Sequence, residues 1–172
     1  MPNWILDLTQ RISDTHLAEV LGNSALAYGF IEGIHLLGLS ISVGLIALTD
    51  LRLLGLILAR VPVTDMLRQL RPLILTGFAL IFLSGVLLFW SEAASVIESP
   101  PFPFKFLFIA LAGVNALYFE LIAARQPEVI ANHARLPRNV RCAGAASLLL
   151  WTLVIICGRL IPYLPNWQAL SN

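Results

Sequence analysis

Four stretches of the chain are almost entirely apolar, and each is long enough to cross a bilayer, which takes about 20 residues of α-helix. We predict membrane spans over about 24–49, 72–90, 104–124 and 142–161. Small residues recur within them, and small residues let helices approach closely in lipid. The pattern predicts an all-α fold, an integral membrane four-helix bundle that forms a single domain over residues 1–172.

The segments before and between the spans follow other patterns. Residues 4–21 place apolar and polar side chains at helical spacing, with a break expected near Ser13 and Asp14. Such a pattern is typical of an amphipathic helix that lies in the membrane interface. Residues 99–104, SPPFPF, contain three prolines, and we expect an extended loop there because proline disrupts helices.

Composition agrees with a membrane protein whose main partner is the lipid bilayer. Hydrophobic residues make up 58% of the chain, charged residues 12%, and the mean hydropathy is +0.83. A soluble domain carries about twice this charged fraction. The formal net charge of +1 gives no reason to expect nucleic acid as a partner. Cys142 and Cys157 lie about 22 Å apart along one predicted span, too far for a disulfide.

Basic residues are concentrated in two connecting segments, one between the first two spans and one between the last two. These segments hold eight of the eleven Lys and Arg residues: Arg52, Arg60, Arg68, Arg71, Arg125, Arg135, Arg138 and Arg141. Both segments lie on the same side of a four-span protein, and the positive-inside rule places that side in the cytoplasm. We therefore expect a multi-pass protein of a bacterial inner membrane with both termini in the periplasm.

Polar side chains interrupt the first span along one face. Tyr28, Glu32, His35 and Ser42 follow at spacings of four, three and seven residues, which places them on one stripe of a helix. Ionisable groups inside a span are costly, and they usually face the bundle interior with a partner. The stripe is therefore a candidate functional site.

Depth in the membrane identifies the expected partner of Glu32. Glu32 lies about 25 Å from Thr49 along its helix, and Arg159 lies about 25 Å from Cys142 along another. The two charges thus reach the same height, with Lys105 slightly higher at the mouth of the third span. The candidate functional cluster, in the outer third of the bundle, consists of Glu32, His35, Arg159, Lys105, Tyr28 and Ser42.

This cluster has a structural and a functional interpretation. In the first, Glu32 and Arg159 form a buried ion pair that fixes helix register, and His35 hydrogen-bonds Ser42 or a neighbour. In the second, His35 is an axial ligand of haem b, and Arg159 and Lys105 hold its propionates. Alternatively, Glu32 and His35 bind or deprotonate a quinol, since histidine titrates near neutral pH.

The other histidines do not complete a metal site around His35. His16 belongs to the interfacial helix and His133 to a connecting segment, so neither faces His35 across a bundle. A haem would then need five-coordinate iron, an unusual second ligand or a second copy of the chain. Haem b, quinone and no cofactor all stay open, and a homo-oligomer is compatible with each.

A second group of polar residues lies at the cytoplasmic ends of the spans. We expect an ion network there, in which Asp50 and Glu120 anchor Arg52, Arg125 or Arg141. Such networks at the membrane boundary are usually structural. In the middle of the third span, Asn115 is expected to form a hydrogen bond between helices.

Several short motifs resemble an uncharacterised family of bacterial four-span inner-membrane proteins. The main ones are E-x2-H-L-L-G at 32–38 and G-x5-D-L-R-L-L-G at 44–55. K-F-L at 105–107, G-V-N-A-L at 113–117 and G-R-L-I-P-Y at 158–163 also match. The resemblance covers nearly the whole chain and implies the four-span fold without implying a reaction.

The chain also resembles, more distantly, the small haem-binding membrane protoporphyrinogen oxidases and the copper-resistance membrane proteins. They too begin with a span that carries H-x2-G and has a basic segment at its cytoplasmic end. The haem-binding group has a second histidine on the third span, where this chain has Phe119 and Glu120.

The sequence thus leaves two hypotheses about function and does not decide whether the chain is an enzyme. The first is an accessory or partner-binding membrane subunit, whose partner would be a periplasmic or membrane redox protein. The alternative is a redox membrane protein that binds haem or quinone at Glu32, His35 and Arg159.

Overall fold

The computed structural model describes residues 3–125 and 136–164, and this part of the chain contains helices but no strand. Two residues with predicted roles, His133 and Arg135, lie outside the described residues. The helices are α1 (Asn3–Ser13), α2 (His16–Asn23), α3 (Ala25–Leu54), α4 (Val63–Ser91), α5 (Ala93–Glu98), α6 (Pro101–Arg125) and α7 (Arg138–Leu160).

Four of these helices, α3, α4, α6 and α7, are long and apolar enough to cross a membrane. Helix α3 packs against α4 and α7, and α7 packs against α6. The predicted fold, a membrane four-helix bundle, is confirmed. We call the end of the bundle where α3 and α6 end and α4 and α7 begin the arginine-rich end.

Two glycines bring α3 and α4 into close contact. A Cβ atom on Gly38 would lie 2.9 Å from the carbonyl oxygen of Gly77, and one on Gly77 would lie 3.0 Å from the carbonyl oxygen of Gly38. The Ser42 hydroxyl donates a hydrogen bond of 2.8 Å to the carbonyl of Ile74 across the same interface. This contact fixes how α3 and α4 align at mid-span.

Two predicted helix boundaries were wrong, and proline is involved in both. Helix α4 begins at Val63 and continues through Pro72, where we expected the span to start. Helix α6 begins at Pro101 and includes Pro103, although an extended loop was expected over 99–104. Pro101 and Pro103 lie in the first turn of α6, where proline is tolerated because the N–H groups there have no intrahelical acceptor. Pro72 lies inside α4, in its tenth position.

The N-terminal helices pack on one end of the bundle. Helices α1 and α2 are separated at Asp14 and Thr15, where a break was expected. Helix α1 contacts α5, and α2 contacts α4. The indole Nε1 of Trp90 donates a hydrogen bond of 3.0 Å to the Thr15 hydroxyl. The short helix α5 was not predicted.

The arginine-rich end contains a buried apolar cluster. It comprises Leu53, Val63, Phe119, Leu136, Val140 and Ala143, which come from α3, α4, α6, the segment before α7, and α7. This cluster holds the four long helices together at one end. Cys142 and Cys157 are both free thiols, as their predicted separation requires.

Candidate functional site

Two charged side chains meet at the end of the bundle opposite the arginine-rich end. Glu32 lies near the start of α3 and Arg159 at the end of α7, and 4.0 Å separates Oε1 of Glu32 from Nη1 of Arg159. The side chains are 45% and 62% exposed respectively, so the pair lies at the bundle surface. The structure brings the expected partners together, but the expectation that they are buried is wrong.

His35 points between α3 and α4, where its Nδ1 atom lies 3.0 Å from Oγ of Ser84. The Ser84 hydroxyl also contacts the carbonyl of Leu80, one turn earlier in α4, as a hydrogen-bond donor. A hydroxyl has one hydrogen, so the network assigns the imidazole proton to Nδ1, which donates to Ser84. The backbone of Ile81 in α4 is a further hydrogen-bond partner of the ring.

Gly85 leaves the space that the imidazole occupies. A Cβ atom at this position would lie 3.2 Å from Cε1 of His35, closer than ordinary van der Waals contact. Sequence analysis missed both Ser84 and Gly85 as neighbours of His35, because they lie in an uncharged span. Only the alignment of α4 against α3 brings them to the ring.

Lys105 lies close to the start of α6 and is half-buried. Its Nζ atom is 3.7 Å from the place that a Cβ atom on Gly158 would take, so it occupies a gap beside α7. It lies within electrostatic range of His35 and Cys157. Among the described residues it forms no ion pair.

Tyr28 interacts electrostatically with two carboxylates, Glu92 and Glu32. Glu92 follows the last turn of α4, and sequence analysis did not include it in the candidate cluster. From here on, the polar cluster means the residues that the structure places at this end of the bundle: Tyr28, Glu32, His35, Glu92, Lys105 and Arg159.

Ser42 lies apart from the polar cluster. It is about 10 Å further along α3 than His35 and fully buried against α4. Its hydroxyl donates a hydrogen bond to the carbonyl of Ile74 and not to His35. Of the two partners expected for His35, Ser42 or a neighbour, the structure shows a neighbour, Ser84. Ser42 therefore stabilises the α3–α4 contact.

The polar cluster offers donors and acceptors side by side. Lys105 and Arg159 donate, the carboxylates of Glu32 and Glu92 accept, and Nε2 of His35 accepts a proton or a hydrogen bond. This arrangement suits a polar group that has both kinds of atom. Among the described residues, no group of three His, Cys, Asp or Glu side chains is arranged to hold a metal ion.

The expected ion network at the arginine-rich end is wrong for Asp50 and Arg52. Both are buried, with 5% and 2% of their surface exposed. Arg52 donates from Nε to the carbonyl of Val61 at 2.8 Å, and its Nη1 has no hydrogen-bond partner among the described residues. The Oδ2 atom of Asp50 also has none, although the Ser147 side chain lies beside the carboxyl. The two side chains lie about 200° apart around α3 and do not meet.

The partner of Glu120 in the structure is Arg71, which the prediction did not include as its partner. Their ion pair connects α6 to α4, and the side chains are 49% and 54% exposed. Arg125 and Arg141 are exposed, and neither forms an ion pair within the part of the chain that the structure describes. Asn115 donates from Nδ2 to the carbonyl of Ala143 at 2.9 Å, as predicted for a bond between helices.

Fold and site together define a multi-pass membrane protein whose four-helix bundle carries a polar cluster at one end. At the other end lie two buried ionisable side chains, Asp50 and Arg52, which form no ion pair among the described residues. Residues 15–164 match the model of a family of unknown function, DUF6644, and the chain belongs to this family. Comparison with curated proteins and with solved structures finds no match. The distant resemblance to haem-binding and copper-resistance proteins is supported by none of these comparisons.

Proposed function

We propose that this chain is an accessory protein of a bacterial inner membrane that binds a protein partner through its polar cluster, with both termini in the periplasm. The exposed ion pair between Glu32 and Arg159 carries the proposal. Both residues belong to helices that are apolar enough to span a membrane. Charges on such a surface are costly in contact with lipid tails, so a polar partner surface that covers them is favourable.

The N-terminal helices extend the surface available to such a partner. Trp4, Leu17 and Val20 are 68%, 47% and 48% exposed on α1 and α2. Amphipathic helices of this kind lie at the membrane interface, where a periplasmic or membrane redox protein would meet both the helices and the polar cluster.

Topology is the first part of the proposal to test. Alkaline phosphatase fused after Asn172 should be active in a bacterial host, since the enzyme folds only outside the cytoplasm, and a reporter that works only in the cytoplasm should be silent. The reverse pattern would contradict the proposed orientation.

Photo-crosslinking tests the partner surface. Gly29 lies three residues before Glu32, on the same side of α3, and a side chain there meets nothing within 4 Å. A benzophenone amino acid at position 29 should give one discrete protein adduct in native membranes, and replacing Glu32 and Arg159 together by Gln should weaken it. Position 113 on α6, which is equally open, is the control. Lipid adducts alone at both positions would contradict the proposal.

A quinol or haem site at His35 is the second candidate, and the half-buried imidazole beside Lys105 favours it. The Ser84 contact holds the proton on Nδ1, which leaves Nε2 able to accept a quinol hydroxyl or to bind iron. The half-buried Lys105 would provide a donor to a quinone oxygen or a propionate. The visible spectrum of the purified protein, together with solvent extraction, separates the cases. A Soret band indicates haem, and co-purified quinone indicates a quinone site. If neither is found, the accessory function is favoured.

A further inference from the structure

A groove of about 590 Å³ runs between α3 and α7, from the arginine-rich end towards the Glu32–Arg159 pair. Its walls are mainly apolar and include Leu39, Val43, Trp151 and Ile155. The ring of Trp151 also contacts Phe78 of α4, with ring centroids 5.3 Å apart. The groove reaches Asp50 at the arginine-rich end.

Helices α3 and α7 contact each other at both ends of the groove. At the arginine-rich end, a Cβ atom on Gly144 would lie 3.2 Å from the carbonyl oxygen of Asp50. At the opposite end, Glu32 and Arg159 form the other contact. Between these points Gly44 lines the groove, and a side chain at that position would meet nothing within 4 Å.

Asp50 is the unusual member of the groove lining. Its Oδ2 atom is buried without a hydrogen-bond partner, and it forms no ion pair within residues 3–125 and 136–164. Ser147 beside the carboxyl provides at most one donor. A buried carboxyl oxygen without a donor costs free energy, so a donor supplied through the groove would stabilise the protein.

The length of the groove suits a lipid chain. From Asp50 to Leu36 it follows α3 for about 21 Å. Half of a bilayer core is about 15 Å thick, so the groove accommodates a chain from the leaflet at the arginine-rich end over its full depth. The head group of that lipid would then lie beside Asp50.

We propose that the groove binds one aliphatic chain of an amphiphile whose primary ammonium group donates an N–H to Asp50. The observations that support this are a buried carboxyl whose Oδ2 atom has no donor among the described residues, an apolar groove that leads to it, and a length that fits one leaflet. A primary ammonium provides both the opposite charge and the missing donor. An ethanolamine phospholipid and a free long-chain amine both carry this chemistry.

Fluorescence of Trp151 measures occupancy directly. The full-length chain with Trp4, Trp90 and Trp167 replaced by Phe keeps one tryptophan, in the groove wall. In phosphatidylcholine vesicles, phosphatidylethanolamine with brominated chains should quench Trp151 at about one-tenth the mole fraction that brominated phosphatidylcholine needs. The factor reflects one charge-assisted hydrogen bond, because the choline head has no N–H donor. Hexadecylamine, the free-amine probe, should relieve quenching by brominated lipid.

Three variants separate the parts of the proposal. Asp50→Asn should remove the preference between the two lipids but keep chain binding. Gly44→Leu fills the groove, so it should reduce quenching by both lipids. Gly113→Leu, on an equally open glycine outside the groove, is the matched control and should behave like the parent protein.

Each outcome has a defined meaning. A preference for the ethanolamine lipid that Asp50→Asn abolishes supports the proposal and identifies a phospholipid as the source. Displacement by hexadecylamine without a preference between the lipids supports it with a free amine as the source. Equal quenching by both lipids with no effect of the amine would overturn it, as would a preference that survives Asp50→Asn. If Asp50→Asn fails to fold, Gly44→Leu decides, since unchanged quenching there would overturn the groove assignment.

Discussion

Replacing Gly77 by Ala tests whether close contact between α3 and α4 stabilises the bundle. A Cβ atom at this position would collide with the Ser42 hydroxyl and lie 3.0 Å from two backbone atoms, the carbonyl oxygen of Gly38 and the amide nitrogen of Ser42. The serine side chain can rotate away, but the backbone atoms cannot move without shifting α3. The substitution should therefore push the two helices apart.

The expected cost follows from two contributions. Adding a methyl group to a tightly packed interface costs about 1–3 kcal/mol. Rotation of Ser42 removes its 2.8 Å hydrogen bond to Ile74, which is worth about 1 kcal/mol. Together these predict a loss of about 2–4 kcal/mol in the free energy of unfolding, reduced by up to about 1 kcal/mol because alanine favours helix over glycine.

Unfolding in mixed micelles with increasing dodecyl sulfate, followed by circular dichroism, measures this difference. Gly113→Ala is the matched control, because it makes the same chemical change on α6 where a Cβ atom meets nothing within 4 Å. That variant should be neutral or up to about 1 kcal/mol more stable, since alanine favours helix over glycine.

A double variant identifies the source of the effect. Ser42→Ala in the Gly77→Ala background removes the colliding hydroxyl, so part of the lost stability should return as a coupling between the two sites. If Gly77→Ala unfolds at the same detergent fraction as Gly113→Ala, the close contact between the helices does not contribute to stability and the packing argument is wrong.

Three further substitutions give smaller expected effects on the same unfolding assay. His35→Leu should lower the free energy of unfolding by about 1 kcal/mol, because the Ser84 hydroxyl loses its contact with His35 but keeps its hydrogen bond to Leu80. An intact fold with loss of a bound cofactor or of the host phenotype would identify a functional histidine. Asn115→Leu should cost about 0.6 kcal/mol, the usual value of a hydrogen bond between helices in a membrane, and an effect above about 2 kcal/mol would indicate a larger role. Glu120→Gln should change stability by no more than about 1 kcal/mol, because its pair with Arg71 is half-exposed, and a larger loss would show that this pair holds α4 to α6.

Hydropathy alone was sufficient to predict the four-helix fold. Lipid cannot satisfy backbone N–H and C=O groups, so a long apolar stretch in a membrane has to form a helix. The helix ends were harder to predict. Pro101 and Pro103 suggested a loop, yet a proline near a helix N-terminus removes an N–H that would have had no acceptor.

The sequence also predicted how deep each residue lies along its helix, and it placed Glu32 and Arg159 at the same depth. The calculation needs only the rise per residue and the two ends of each span. It contains no information about rotation around the helix axis. The sequence therefore predicted the proximity of the pair without its exposure, and it did not find Ser84 or Gly85 beside His35.

The position of each residue around its helix axis explains why two acidic residues near the same membrane boundary differ in burial and in ion pairing. Glu120 lies half-exposed beside Arg71, whereas Asp50 is buried and forms no ion pair within the part of the chain that the structure describes. The difference arises because Asp50 faces α7 where Gly144 brings the two helices together, so its side chain enters the interface. The carboxyl is therefore buried, and it forms no ion pair with the described arginines at the boundary. Charge counting along the sequence could not distinguish the two acids, because it contains no information about which side of its helix each one occupies.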